Sequence, residues 1–306
     1  MSVERMSAIP DPAGPRLLLV DGHAYAYRAF FAIRSLQSPD GAPTNAIYGF
    51  IKMLEKMRAI LKPTHVMVAW DAGLAAERVA QLPGYKANRP ATPEPLEVQF
   101  PQIQQWLVDK GYASWSVEGT EADDWLATYA VRATKRGWET VLASADKDFM
   151  QLVQPGIFLF NPGDKLERLW GPPEVEAKTG VLPHQVVDWL SLVGDAADNI
   201  PGAPGIGPKT AAELLKRFGS VDGIYSRLAE IKSENQRNNL QQAEAAVRRN
   251  QAMIRLWTHL EGGLDLDCLQ PGCSKTEALR ESYRRWGFKS MLAELLPADG
   301  GQTTLW

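Results

Sequence analysis

Residues 16 to 21 read RLLLVD, four consecutive aliphatic side chains framed by an arginine and an aspartate. A run this short with no polar alternation fits a strand buried on both faces better than a helix. Residues 65 to 71 (HVMVAWD) and 140 to 146 (TVLASAD) repeat the pattern, and 156 to 161 (GIFLFN) is a further candidate. Helix-like sequence separates these runs, so the expected fold class is α/β, a parallel twisted sheet flanked by helices.

The three clear runs all end in aspartate: Asp21, Asp71 and Asp146. One such ending is an ordinary turn or N-cap residue. In a parallel sheet, however, the carboxyl ends of the strands share one edge, where α/β proteins place their sites. Asp148 follows two residues after Asp146. The segment TEADD (120 to 124) opens a helix predicted to reach about Arg136 and stop at Gly137, and it supplies Glu121, Asp123 and Asp124. Thr120 and Asp123 read as a capping box, which accounts for one or two of these acids but hardly all three. GDAADN (194 to 199) adds Asp195 and Asp198.

Nine carboxylates sharing a crevice cannot all stay ionised without cations. Oxygen donors of this kind suit Mg²⁺ or Mn²⁺, and their excess points to two ions with some acids acting through water. Two such ions about 4 Å apart are an apparatus for phosphodiester hydrolysis. Setting the nine aside leaves 27 of the 36 acidic residues against 33 basic ones, so the formal charge of −3 hides a basic remainder.

At 306 residues with 45% hydrophobic and 23% charged composition, the chain can build one large or two ordinary globular domains. No apolar run approaches membrane-spanning length. Residues 1–15 lack a signal-peptide core and read as a loose tail. Cys268 and Cys273 have no histidine cluster around them, so a cytosolic (cytoplasmic) protein with free thiols is expected rather than a zinc protein.

Several segments recur together, in order: DGH (21 to 23) with Tyr27 and Arg28, AWD (69 to 71), GYKANR (84 to 89), EADD (121 to 124), ADKD (145 to 148) and GDAADNIPG (194 to 202). The set resembles the 5′-nuclease (flap endonuclease) family, most closely the 5′–3′ exonuclease domain of bacterial DNA polymerase I, over roughly residues 16 to 290. The resemblance implies a PIN-like nuclease domain over 16–180 and a helical DNA-binding domain with a helix–hairpin–helix (helix-3-turn-helix) over 181–296. It also implies a metal-dependent enzyme that removes 5′ flaps and RNA primers from branched duplex DNA in replication and repair, acting as a monomer. By the family pattern Asp21, Asp71, Glu121, Asp123 and Asp146 serve a first metal with Asp124 nearby, and Asp148, Asp195 and Asp198 serve a second. Residues 72 to 100 correspond to a helical arch, in which Lys86 and Arg89 match the residues that reach the scissile phosphate, Tyr85 is placed to stack on a base and Arg78 is either a phosphate contact or a loop charge. Taken alone, that stretch would read as a solvated loop.

GAPGIGPKT (202 to 210) is one residue too long for a phosphate-binding P-loop, because Pro208 separates Gly207 from Lys209. It follows a helix rather than a strand and fits the family's hairpin. There Gly205 and Gly207 allow close backbone approach to DNA, and Lys209 and Thr210 at a helix start hold a duplex phosphate. Pro208 suits the first helical position and Gly219 the end. The resemblance also implies a K⁺ site in this hairpin. No polymerase segment follows within the 306 residues, which leads to the expectation of a stand-alone nuclease. In the tail, 297–306, Gln302, Leu305 and Trp306 resemble the Q-x-x-L-F peptides that bind bacterial sliding clamps; the alternative is a tryptophan packed on the body. Rival functions are a PIN-like single-strand ribonuclease and a non-catalytic DNA-junction binder.

Overall fold

The computed structural model describes residues 9, 11–161 and 168–295. Strands β1 (Arg16–Asp21), β2 (His65–Ala69), β3 (Ala113–Trp115), β4 (Glu139–Ala143), β5 (Ile157–Phe160) and β6 (Leu169–Trp170) form one sheet. Its order is β3-β2-β1-β4-β5-β6, parallel except for the last pair. The predicted α/β class is therefore the observed one. The half-buried β3 and the two-residue β6 were not foreseen, being too short to show a periodicity.

The connections carry helices α1 (Gly22–Ala32), α2 (Asn45–Leu61), α3 (Ala76–Gln81), α4 (Glu94–Glu97), α5 (Phe100–Lys110) and α6 (Ala122–Lys135). The aliphatic run of β1 alternates between two cores. Leu18 and Val20 join Ala26, Phe50, Leu54 and Leu107 from α1, α2 and α5. Leu17 and Leu19 join Leu126, Tyr129 and Ala130 from α6. All four β1 side chains are fully buried, each contributing about 1.5–3 kcal/mol.

From β1 the chain builds outward through β2 to β3, then crosses to the other side of β1 for β4 and β5. The strand order reverses between β1 and β4, and a crevice opens beyond their carboxyl ends. Asp21 ends β1, Asp71 lies two residues past β2, and Asp146 lies three past β4.

At the start of α6 the predicted capping box does not form. Thr120 Oγ1 donates to the Val117 carbonyl at 2.6 Å and accepts from Trp125 Nε1 at 2.9 Å, while Glu121 occupies the N-cap position. Asp123 is thereby released from a capping role.

Beyond the sheet come α7 (Pro172–Thr179), α8 (Val186–Val193), the short antiparallel pair β7 (Gly194–Asp195) and β8 (Ile200–Pro201), α9 (Pro208–Phe218), α10 (Val221–Ser226), α11 (Glu234–Ile254), α12 (Thr276–Trp286) and α13 (Lys289–Glu294). Pro208 opens α9 and Gly219, at φ +86°, ends it, as predicted. Helices α8 to α11 extend the α6-side core through Leu190, Leu215 and Val247. Helices α12 and α13 return to the opposite face of the sheet. Leu279, Tyr283, Trp286 and Met291 pack with α2 and α5, and Trp106 Nε1 donates to Tyr283 Oη at 2.9 Å.

The β7–β8 pair is drawn tight by glycines. A Cβ on Gly202 would lie 2.2 Å from the Val193 carbonyl oxygen, whereas one on Gly207 would meet nothing within 4 Å. On the far side of the pair the fully buried Asn250 of α11 donates to the carbonyls of Ser191 (3.1 Å) and Pro201 (2.8 Å). Gly202→Ala should lower the unfolding free energy by about 3 kcal/mol. Gly207→Ala should change it by less than about 1 kcal/mol. Urea titrations of both variants check this.

Candidate active site

The crevice at the strand reversal is a cleft of about 520 Å³ whose lining includes Asp21, Asp71, Asp123 and Asp146, with Lys86 and Arg89 at its side. The first strand and the first helix meet there: Asp21 caps α1 by accepting from the Ala24 amide at 3.0 Å. Asp71 accepts from the Ala122 amide at 2.8 Å, so the loop after β2 is tied to the start of α6. Asp146 accepts from the Asp148 amide at 2.9 Å. Each carboxylate thus uses one oxygen on the backbone and keeps further acceptor capacity.

Burial, reinforced by the neighbouring Asp71 carboxylate, pushes Asp21 up to about 7. Burial and then the charges of Asp21, Asp146 and Asp71 hold Asp123 well above the usual carboxylate range. Asp146 is raised as well, first by desolvation in the cleft and then, against its amide hydrogen bond, by Asp198 and Asp195.

A second group adjoins the first. Oxygens of Asp148, Asp195 and Asp198 lie within 4.8 Å of one another. Asp148 is raised well above its ordinary value by burial, then by Asp146, Asp195 and Asp198. Its Oδ1 is buried without a hydrogen-bond partner. An all-oxygen donor set with mutual repulsion and an orphaned buried oxygen fits hard divalent cations. Seven of the nine predicted carboxylates are brought together in this way.

The other two are paired with buried cations. Asp124, fully buried, takes both guanidinium arms of Arg78 at 2.7 and 2.8 Å and the Trp257 amide at 2.8 Å. Glu121, also buried, accepts from Lys86 Nζ at 2.7 Å, Tyr85 Oη at 3.0 Å and the Ala75 amide at 3.3 Å, with Arg78 Nη1 at 3.2 Å. Lys86 and Arg78 outweigh the effect of burial and hold Glu121 below its ordinary value. In this arrangement Glu121 and Asp124 are counter-charges to Lys86 and Arg78.

The arch segment is held in the same way. Arg78 is only 3% exposed; beyond its acids it donates to the carbonyls of Met253 (3.1 Å) and Arg255 (3.2 Å) and stacks on Trp257. It joins α3 to α6 and to the end of α11 rather than facing a DNA phosphate. Tyr85 is 5% exposed and bound to Glu121, so its ring is not presented to a base. Lys86 and Arg89 do reach the cleft, and Arg89 Nη2 lies 2.6 Å from Asp198 Oδ1.

Several groups in the site had no role assigned from the sequence. His23 Nδ1 accepts from the Asp71 amide at 3.1 Å, which makes the ring the neutral Nε2–H tautomer; burial lowers its pKa, opposed by Asp71. Tyr27 Oη and Thr92 Oγ1 are 2.6 Å apart on the cleft wall. Lys147 Nζ lies 3.2 Å from Asp195 Oδ1. The strings DGH and ADKD contain His23 and Lys147, but nothing in their spacing distinguishes them from turn residues.

The hairpin before α9 is anchored by buried Ala203 and Ile206, with Gly205 at φ +71° making the turn. Gly207 is the N-cap and no side chain caps the helix, so its first amides face outward beside exposed Lys209 and half-buried Thr210. Asn239 of α11 braces the turn by donating to the Pro204 carbonyl at 3.0 Å. Gln302, Leu305 and Trp306 lie outside the described residues.

Breaking the buried pair should cost far more than relieving the carboxylate crowd. Arg78→Ala leaves Asp124 uncompensated and should destabilise the protein by about 3–5 kcal/mol. Asp148→Asn removes a repelled charge and should be neutral or stabilising in chelator-treated protein. Chemical denaturation in EDTA distinguishes the two.

The model of the 5′–3′ exonuclease N-terminal resolvase-like domain matches residues 16–180, and that of the 5′–3′ exonuclease C-terminal SAM fold matches 181–277. A 5′–3′ exonuclease of Aquifex aeolicus is 35% identical over 282 residues, 91% of this chain and 94% of its own length. DNA polymerase I of Bacillus caldotenax is 38% identical over 284 residues, and there the match covers 92% of this chain but 32% of the polymerase. Among solved structures, the bacteriophage T5 5′-exonuclease with bound zinc covers 92% of this chain and 98% of its own, with a TM-score of 0.68 at 21% identity. The catalytic core of Rad2 in complex with DNA substrate covers 95% of this chain and 92% of its own, with a TM-score of 0.61 at 15% identity. The fold is shared with both, and with both domain models matched in sequence the chain belongs to the 5′–3′ exonuclease family.

Proposed function

We propose that this chain is a divalent-metal-dependent 5′ nuclease that hydrolyses phosphodiester bonds at 5′ flaps, nicks and primer ends of branched duplex DNA. The observation that carries the reading is the cleft at the strand reversal, lined by four carboxylates with three more adjoining it and flanked by Lys86 and Arg89. Asp21, Asp71, Asp123 and Asp146 would hold one Mg²⁺ or Mn²⁺ ion, and Asp148, Asp195 and Asp198 a second. Bound there, the ions supply charge stabilisation for the phosphoryl group and acidify an attacking water.

The chain's own residues orient the substrate. Lys86, held charged because Glu121 and then Asp198 outweigh its burial, has ammonium donors beyond the one given to Glu121. We assign it to a non-bridging oxygen of the scissile phosphate. Arg89 stands beside it, its guanidinium anchored on Asp198 and half exposed, suited to the next phosphate along the strand. The open amides of α9, with Lys209 and Thr210, take a phosphate of the duplex and set the distance between the bound helix and the cleft. Gly205 and Gly207 keep that approach clear of side chains. The T5 5′-exonuclease with zinc and the Rad2 core with DNA substrate support the metal and the DNA in this reading.

Asp146→Ala and Asp195→Ala should each slow cleavage of a labelled 5′-flap duplex in Mg²⁺ on the order of 100-fold or more, with flap affinity retained. Full activity of either variant, or of the protein in EDTA, would sink the proposal. Preferential cleavage of single-stranded RNA would replace DNA junctions with an RNA substrate. The same cleft predicts that Mg²⁺ raises the melting temperature. At an ion concentration 100 times the Kd the gain is about 2.7 kcal/mol per site, and differential scanning fluorimetry with and without chelator reads it.

A further inference from the structure

We propose that Asn88 and Asn199 form a reciprocal amide clasp that locks the arch onto the loop carrying Asp195 and Asp198. This makes both asparagines positioning residues, and the inference rests on the nuclease reading of the site. Asn199 Nδ2 donates to the Gly84 carbonyl at 2.7 Å, and Asn88 Nδ2 donates to the Ala196 carbonyl at 2.8 Å. Each side thus gives one side-chain amide and receives the other. Between them the Lys86 amide donates to the Asp198 carbonyl at 3.0 Å, and Arg89 Nη2 reaches Asp198 Oδ1 at 2.6 Å. Four contacts in parallel join residues 84–89 to residues 196–199.

The backbone at the clasp is shaped for it. Lys86 and Asn199 adopt φ +55° and +58°, two of only three non-glycine residues in the left-handed region among those described. That conformation is unfavourable for lysine and persists where the surroundings over-determine it. Asparagine tolerates it best of the non-glycine residues, and here its side chain is the donor. A Cβ on Gly84 would sit 3.0 Å from Asn199 Nδ2, so the glycine leaves room for that amide.

The clasp has a specific consequence for the site. Asp198 belongs to the second carboxylate group through its side chain and holds the arch through its carbonyl and Oδ1. Seating the arch and completing that group are therefore one event. An arch that lifts takes Lys86 and Arg89 from the cleft and loosens Asp198 at the same time. Both asparagines are solvent-exposed, so their two amide hydrogen bonds can open without moving a buried asparagine side chain.

The test uses Asn199→Gly, which keeps the left-handed backbone and removes only the amide, Asn88→Ala on the exposed loop, and the double variant. Hydrogen exchange is read by mass spectrometry on the metal-free protein over residues 82–90 and 194–201. Either single substitution should speed exchange in both segments. Single-turnover cleavage of the flap duplex should fall roughly three- to tenfold, the equivalent of one such hydrogen bond. Flap affinity should stay within about twofold, and the double variant should be no slower than the slower single, as for residues acting as a unit. Faster exchange confined to the substituted segment would overturn the clasp, as would multiplicative rate losses or lost affinity at unchanged rate. If the unsubstituted protein fails to cleave flaps, the nuclease reading falls, while the exchange arm still decides whether the two segments are coupled.

Discussion

Like-charge repulsion among aspartates at one sheet edge is the constraint on which the rest of this molecule depends. Parallel strands deliver their carboxyl ends to a common rim, and β1, β2 and β4 each lead into an aspartate there. With α6 and the β7–β8 loop adding more, seven carboxylates meet where desolvation already disfavours their charge. The surrounding structure divides the problem in two. Glu121 and Asp124 are paired with the buried Lys86 and Arg78, while Asp195 and Asp198 are met by the more exposed Lys147 and Arg89.

That division explains features which otherwise look unrelated. Arg78 is buried because Asp124 is, and its remaining donors bind carbonyls at the end of α11, which seats the helical part against the sheet. Lys86 is held between a counter-ion behind it and the cleft in front, so the arch carries its charge without extending into solvent. Asn250 and the close-packed Gly194 and Gly202 define the β7–β8 pair from the opposite side. The Asp195–Asp198 loop is consequently set by backbone packing behind it and by the arch above it.

The β1 run, the aspartates after β2 and β4, and the G-x-G-P-K turn before α9 were legible because each rests on a local signal. Buried strands need continuous apolar residues, a proline suits the first position of a helix, and an extra residue rules out a P-loop. Thr120 shows where a local signal misleads. Its capping pattern was sound, but Val117 and Trp125 claim the hydroxyl in three dimensions. Arg78 and Tyr85 misled in the opposite sense: polar residues in a polar loop read as exposed, and only a long-range partner at Asp124 or Glu121 draws them inside.

The α/β class, the set of acids from which the cleft is drawn and the hairpin that opens α9 are readable from the chain alone, because periodicity, strand-end position and turn chemistry act over a few neighbouring residues. Tertiary structure alone decided which seven acids share the cleft and which two are bound to fixed cations. It also placed α12 and α13 on the far face of the sheet and joined the arch to the β7–β8 loop. Those outcomes depend on residues far apart in the chain, such as Arg78 with Asp124 and Asn88 with Ala196, meeting once burial has chosen their neighbours. An ion pair of that kind forms because each buried charge needs the other to offset its desolvation, a condition that neither local segment encodes.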